Sequence, residues 1–374
     1  MARVLLKAAL LFAALNVAFA LADPLPALGR LSLYNHALPG RSRLPYGANP
    51  ARDYNLSPLT LEALLAAHEI DGAARADDEL RVLLIGDSSV WGFLLPADQT
   101  VAAALNQLGL VTADGRRVRA FNLGYPIMSL AKDLVLLERG LAYQPHLVVW
   151  LVTLESFPLD KQLYPPLLQH NAPAVRALIA RYDLALDPAD PRLIDRTWAE
   201  RTLLGRRRDL ADLLRLQLYG VLWAATGIDQ ALPDSYTPRM EDLPPDPTFQ
   251  GFGPGEMQPS DLAFEILDAG VRQAGPVPVL IVNEPMFVSR GANSDLRYNF
   301  YYPRWAYDLY RAWLAARCEA RGWRCLDLWD ALPAETFTDS AVHYDPQGAR
   351  LLAARLGDAI LALAAELSGE VVQR

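Results

Sequence analysis

The apolar run Val82-Leu83-Leu84-Ile85 stops abruptly on Gly86-Asp87-Ser88. A short run without polar alternation fits a strand buried on both faces, and Gly-Asp-Ser fits the tight turn that ends it. The pattern then recurs. Arg81–Ile85, Arg119–Leu123, His146–Val152, Pro278–Val282 and Arg324–Leu328 read as strands. Helical stretches fall between them, at Thr100–Leu108, Ser129–Leu141, Leu262–Gln273 and Trp305–Arg321, and a last one runs from about Ala349 to Leu367. Strands alternating with helices predict a parallel sheet covered on both faces. Open sheets of that kind build their sites at the carboxyl ends of the strands. Ser88, immediately after the first strand, is therefore the first candidate nucleophile, although a lone Gly-Asp-Ser is more often an ordinary turn.

A second stretch, Phe337-Thr338-Asp339-Ser340-Ala341-Val342-His343-Tyr344-Asp345-Pro346-Gln347-Gly348, stands before the last helix. A serine hydroxyl attacks only when a base takes its proton, and a histidine base needs a partner that fixes its tautomer. His343 and Asp339 supply both from one loop. Asp345 and Pro346 also read as an ordinary helix start, so the loop taken alone has a structural explanation.

Together, Gly86-Asp87-Ser88 and Asp339…His343 resemble the SGNH (GDSL-type) hydrolase family. The resemblance covers roughly residues 80–156 and 260–367. It implies a flavodoxin-like three-layer α/β sandwich with a parallel five-stranded sheet, here carrying a mostly helical insertion. It also implies Ser88 as nucleophile, His343 as base and Asp339 as its orienter. The oxyanion donors it implies are the Ser88 N–H, the Gly124 N–H in Asn122-Leu123-Gly124, and an asparagine side chain after the third strand.

Two departures leave the expected fold intact but bear on efficient hydrolysis. Where the family reads Gly-x-Asn-Asp, this chain reads Thr153-Leu154-Glu155-Ser156, so Glu155 stands at the asparagine position. A carboxylate donates nothing unless burial keeps it protonated, which leaves Thr153 or Ser156 as hydroxyl donors. Losing one oxyanion donor costs on the order of 10²–10³ in rate. The Asp339–His343 gap is also one residue wider than the family's Asp-x-x-His, which makes Asp345 the fallback orienter. Asn283-Glu284-Pro285 ends the fourth strand, so Asn283, Glu284 and Glu155 are candidates for substrate contact. The cluster from Tyr298 to Trp305 reads as core first and as a sugar-facing platform second.

The rest of the 374 residues sets the context. Residues 1–22 begin with Arg3 and Lys7 and continue almost wholly apolar to Ala22, which reads as a signal peptide or a retained membrane anchor. Residues 23–79 read as an N-terminal extension packing on the core, including a helix from Ser57 to His68. Residues 80–156 and 259–374 form the expected core, and residues 157–258 the insertion. Within the insertion, Thr197–Gly227 reads as strongly helical, with a solvated face over an apolar underside or, alternatively, as a lid or a surface that meets membrane, and a Pro/Gly-rich loop follows. The net charge of −8 argues against a nucleic-acid surface. Two cysteines and five histidines without metal-ligand spacing predict no metal and no cofactor. Cys318 and Cys325 are bridged or free; sequence leaves both open. The expected protein is an exported serine enzyme that cleaves or transfers an acyl ester on a small molecule or glycan. A non-catalytic glycan-binding module is the alternative.

Overall fold

Five strands, β1 (Glu79–Ile85), β2 (Arg117–Asn122), β3 (Leu147–Val152), β4 (Val279–Asn283) and β5 (Arg324–Asp327), pair in parallel in the order β2-β1-β3-β4-β5. This is the flavodoxin-like α/β arrangement that the alternating pattern predicts. The computed structural model describes residues 1–38, 40–46, 61–227, 232–233 and 235–372. Its contacts gather into two compact units, one of residues 1–73, 166–176 and 188–229, the other of residues 74–165, 177–187 and 230–374. The sheet lies in the second unit.

Every residue of β1, β3 and β4 is buried, which is why Val82–Ile85, Leu147–Val152 and Val279–Val282 read as continuous apolar runs. On one face Val82, Leu84, Val149 and Leu151 pack with Leu105 of the helix Val101–Gln107 and with Leu352 and Leu356 of the final helix Pro346–Val372. On the other, the helix Phe264–Ala274 approaches so closely that a Cβ on Gly270 would fall 2.2 Å from the Trp150 ring. Only glycine permits that approach. Strand β5 closes the far edge, and Cys325 on it is bridged to Cys318 across a Cα–Cα distance of 6.2 Å. The chain leaves β1 for β2 on one side and returns to β3 on the other. That reversal puts a crevice at the carboxyl end of β1, where Ser88 begins a short helix.

In the first unit, the helix Ala2–Ala22 is long and apolar enough to cross a membrane. The expected helix Ser57–His68 is described from Leu61 to Ala66; Ser57 and Pro58 lie outside the described residues. His68 is fully buried and caps the next helical turn, accepting the Ile70 N–H on Nδ1. Its role is structural. The helical stretch expected over Thr197–Gly227 consists of two helices, Trp198–Arg201 and Arg207–Thr226. The chain folds back between them: a Cβ on Gly205 would meet the Ala199 carbonyl at 2.4 Å, and the Thr202 hydroxyl donates to that same carbonyl. The Pro/Gly-rich stretch belongs to the second unit and is strapped to it. The Arg239 guanidinium lies over Phe287 and donates to the Phe337 carbonyl, while the Arg239 N–H reaches the Thr338 carbonyl. This loop therefore braces the segment that carries Asp339 and His343.

Candidate active site

Gly86 releases β1 into the turn with φ of 155°, and Asp87 caps the helix Ser88–Trp91 by accepting the Ser89 N–H at 2.8 Å. Ser88 is thereby the first helical residue, where a backbone N–H finds no partner within its own helix. Its hydroxyl lies 2.7 Å from Nε2 of His343, and Nδ1 of the same ring lies 2.9 Å from Asp339 Oδ1. The carboxylate on the Nδ1 side fixes the proton there and leaves Nε2 to accept from Ser88. Burial alone would raise the Asp339 carboxyl, but its hydrogen bond and charge interaction with His343 outweigh this and hold it below the ordinary aspartate range. Phe93 stacks on the imidazole at 4.7 Å and limits its rotation. Three intervening residues suffice for the Asp339–His343 contact because the Thr338 N–H closes the loop on the His343 carbonyl. Asp345, the fallback orienter, instead caps the final helix through the Gly348 N–H at 2.7 Å.

A cavity of about 380 Å³ opens beside Ser88 and His343, lined also by Ile127, Met128, Glu155, Lys161, Tyr164 and Tyr301. Ile127 holds a φ of 74°, a conformation that a β-branched residue rarely adopts and that costs about 1–3 kcal/mol. The surrounding structure keeps it there, facing the site.

The remaining expected site residues fall in different places. Gly124 lies against the Ser88 turn, where a Cβ would meet the Trp91 nitrogen at 2.5 Å, yet its N–H already donates to Asn122 Oδ1 at 3.0 Å. Thr153 is fully buried and its hydroxyl pairs with Tyr302 at 2.9 Å, so it does not open onto the cavity. Glu155 does line it, as an ion-pair partner of Lys161 and an acceptor for Gln250 at 3.0 Å. Asn283 is buried among Asp327, Tyr307 and Tyr310, to which it donates at 2.8 Å and from which it accepts at 3.2 and 3.1 Å. It braces β4 and β5 and makes no contact with the cavity lining.

Glu284 is likewise not a substrate contact. It lies buried behind the Ser88 turn, accepting the Ser89 hydroxyl at 2.5 Å and the Tyr344 hydroxyl at 3.4 Å. Burial, then the charge of the facing Asp87 carboxylate, pushes it well above the ordinary glutamate range. A raised Glu284 carboxyl favours its protonated form, which can donate to Asp87. Lys132, also fully buried, pairs with Asp133 at 2.8 Å and donates to the Gly86 carbonyl at 2.7 Å and to that of Tyr125. Burial raises Asp133 to about 6 against the opposing pull of Lys132. The turn that presents Ser88 is thus fixed from below by a Lys–Asp pair and by a carboxyl pair.

No family model matches the sequence, and no curated protein matches it. Among solved structures, the chain is similar to the aryl esterase of M. smegmatis, at 12% identity over 76% of this chain and 99% of that chain, with a TM-score of 0.34. It is similar to Est24, a carbohydrate acetylesterase from Sinorhizobium meliloti, at 12% identity over 76% and 99%, with a TM-score of 0.33. A protein of the G-D-S-L family from Desulfitobacterium hafniense DCB-2 is similar at 12% identity over 75% and 99%, with a TM-score of 0.34.

Sequence reasoning did not single out Lys161, Tyr164, Ile127, Met128 or the Lys132–Asp133 pair. Lys161 follows Glu155 by six residues and carries no local signal; the short helical turns Leu154–Ser156 and Leu159–Lys161 fold it back. Adjacent opposite charges inside the apolar helix Leu130–Gly140 were the one available sign of Lys132 and Asp133.

Proposed function

We propose that this chain is an SGNH-type serine enzyme that cleaves or transfers an acyl ester, with Ser88, His343 and Asp339 as its triad. The observation that carries the reading is the His343 ring, placed between Ser88 Oγ at 2.7 Å and Asp339 Oδ1 at 2.9 Å beside an open cavity. Ser88 Oγ attacks the ester carbonyl while its proton passes to His343 Nε2, and Asp339 stabilises the imidazolium that forms. The Ser88 N–H donates to the oxyanion. Lys161 takes the place of the absent asparagine as the positive group facing the cavity, with Glu155 as its counter-ion. Collapse of the tetrahedral intermediate breaks the ester C–O bond, and the leaving alcohol takes the proton from His343. Water or a sugar hydroxyl, deprotonated in turn by His343, then removes the acyl group from Ser88. Ile127 and Met128 give the cavity an apolar wall for a short acyl group, and Tyr164 and Tyr301 give ring faces and polar tips to a sugar.

An exported setting fits the same chain. The Cys318–Cys325 bridge favours an oxidising compartment, and the apolar helix Ala2–Ala22 serves as a retained membrane anchor. The competing reading, a non-catalytic glycan-binding module, draws on Glu155 at the asparagine position and on the occupied Gly124 N–H. Turnover separates the two. The full chain in detergent is expected to release the aryl alcohol from a short-chain aryl ester, and to move the acyl group to a glycan hydroxyl if it is a transferase. Lys161→Ala should lower kcat by on the order of 10²–10³ if Lys161 serves the oxyanion. A folded protein that binds acylated glycans without turning over any ester would overturn the enzyme reading.

A further inference from the structure

The helix Arg207–Thr226 carries an apolar face that the described residues of the first unit leave exposed. Leu213, Leu216 and Trp223 point into the unit, whereas Leu214, Leu218 and Leu222 recur every fourth residue on the opposite side. Leu218 is 72% exposed. Tyr219 stands beside this stripe, also exposed, and Arg207 and Arg208 stand exposed at its amino-terminal end. The face continues onto Leu31 and Leu33, both exposed, because the Gln217 side chain donates to the Leu31 carbonyl and accepts the Leu33 N–H, each at 2.7 Å. An apolar stripe edged by Tyr and Arg is the composition of a helix that lies in a membrane interface.

What covers this face is indicated by its tie to the helix Ala2–Ala22. Asn16, the one buried residue of that largely exposed helix, accepts the Leu204 N–H at 2.9 Å. Leu204 belongs to the turn that leads into Arg207–Thr226. Asn16 precedes the carboxyl end of its helix by six residues, about 9 Å along the axis. If the helix Ala2–Ala22 spans a bilayer, the Leu204 turn is held at that depth, which matches the ~5–10 Å to which interfacial helices sink.

We propose that the Leu214, Leu218, Tyr219 and Leu222 face is a lipid-docking surface, seated at the boundary of headgroups and acyl chains, with Arg207 and Arg208 reaching anionic lipid phosphates. The proposal rests on the anchor reading of Ala2–Ala22. Its consequence is a first unit set firmly on the leaflet rather than tethered by one helix.

The test uses the full chain in nanodiscs containing phosphatidylglycerol. Both native cysteines are bridged, so Leu218→Cys, Leu222→Cys and Leu10→Cys each supply a single thiol for a fluorescent label. At positions 218 and 222 the expected result is strong quenching by lipids brominated high on the acyl chain, with several-fold less quenching by aqueous iodide than in lipid-free detergent solution. At position 10, quenching should come from deeply brominated lipids. A deep label at 10 with labels at 218 and 222 open to iodide would overturn the docking surface and leave the anchor standing. Labels at 218 and 222 reached by neither quencher would mean that a protein covers the face, which also overturns it. A label at 10 that no lipid quenches would remove the anchor and the proposal together.

Discussion

Asp339→Asn is expected to lower kcat on an activated ester by about 10³–10⁴-fold with little change in KM. An amide in place of the carboxylate favours the wrong imidazole tautomer and cannot stabilise the imidazolium formed as Ser88 loses its proton. The comparison is with Asp345→Ala. Asp345 accepts the Gly348 N–H and caps the final helix, so its loss should cost about 1 kcal/mol of stability while leaving kcat nearly unchanged. Steady-state kinetics and thermal melts on the two variants check this. A large kcat loss in Asp345→Ala, with Asp339→Asn near wild type, would reverse the assignment of the orienter.

The second large effect is expected at Glu284, which does not line the cavity. Glu284→Ala leaves Asp87 and the Ser89 hydroxyl without their buried partner, at a cost of about 1–3 kcal/mol. It also frees the turn that aims Ser88, and misplacement on the scale of 1 Å lowers rates by on the order of 10². Glu284→Gln should restore most of kcat, because an amide donates to Asp87 and accepts from Ser89 as the neutral acid does. The charged and ionisable groups facing this carboxyl are Asp87, Tyr344 and, at longer range, Tyr302, Tyr307 and Tyr310. None is a cation that would favour its ionised form.

A pH signature accompanies that rescue. The Glu284 carboxyl is raised on folding, so from this group the native state holds more protons than the unfolded chain above an unfolded value of about 4.3. Its contribution to stability is therefore lost as pH rises, by up to about 1.4 kcal/mol per pH unit until the raised native value is passed. Glu284→Gln lacks this loss. Its stability relative to wild type, measured by urea unfolding from about pH 5 to about pH 7, should increase with pH. A difference that stays flat would show that Glu284 ionises normally in the native protein.

The sheet was legible because β1, β3 and β4 are buried on both faces, and Val82–Ile85, Leu147–Val152 and Val279–Val282 are apolar runs bounded by polar or turn residues. Strand and helix ends shifted by only a few residues, as with β2, which begins at Arg117 rather than Arg119. Ser88, Asp339 and His343 stood out because each sits in a short segment whose function depends on local spacing. The surroundings of the site were less legible, since they depend on distant contacts. Asn283 and Glu284 do leave the carboxyl end of β4, yet Tyr307, Tyr310, Ser89 and Tyr344 engage them inside the protein. Thr153 was a fair candidate by position until Tyr302, almost 150 residues later, took its hydroxyl. Of the aromatic cluster, Tyr298 and Tyr302 are buried core, Phe300 is exposed, and only Tyr301 lines the cavity. The break between Trp198–Arg201 and Arg207–Thr226 escaped notice because Gly205 within a leucine-rich run looks like a tolerated helix residue.

The most direct test of the central claim is covalent. The full chain, treated with a fluorophosphonate and digested, should carry one adduct, on the peptide containing Ser88, with loss of esterase activity in step with labelling. Ser88→Ala should take no label, and His343→Ala should label far more slowly, because the hydroxyl then has no base. A folded wild-type chain that takes no adduct, or that takes it on another residue, would contradict the account of Ser88 as an activated nucleophile.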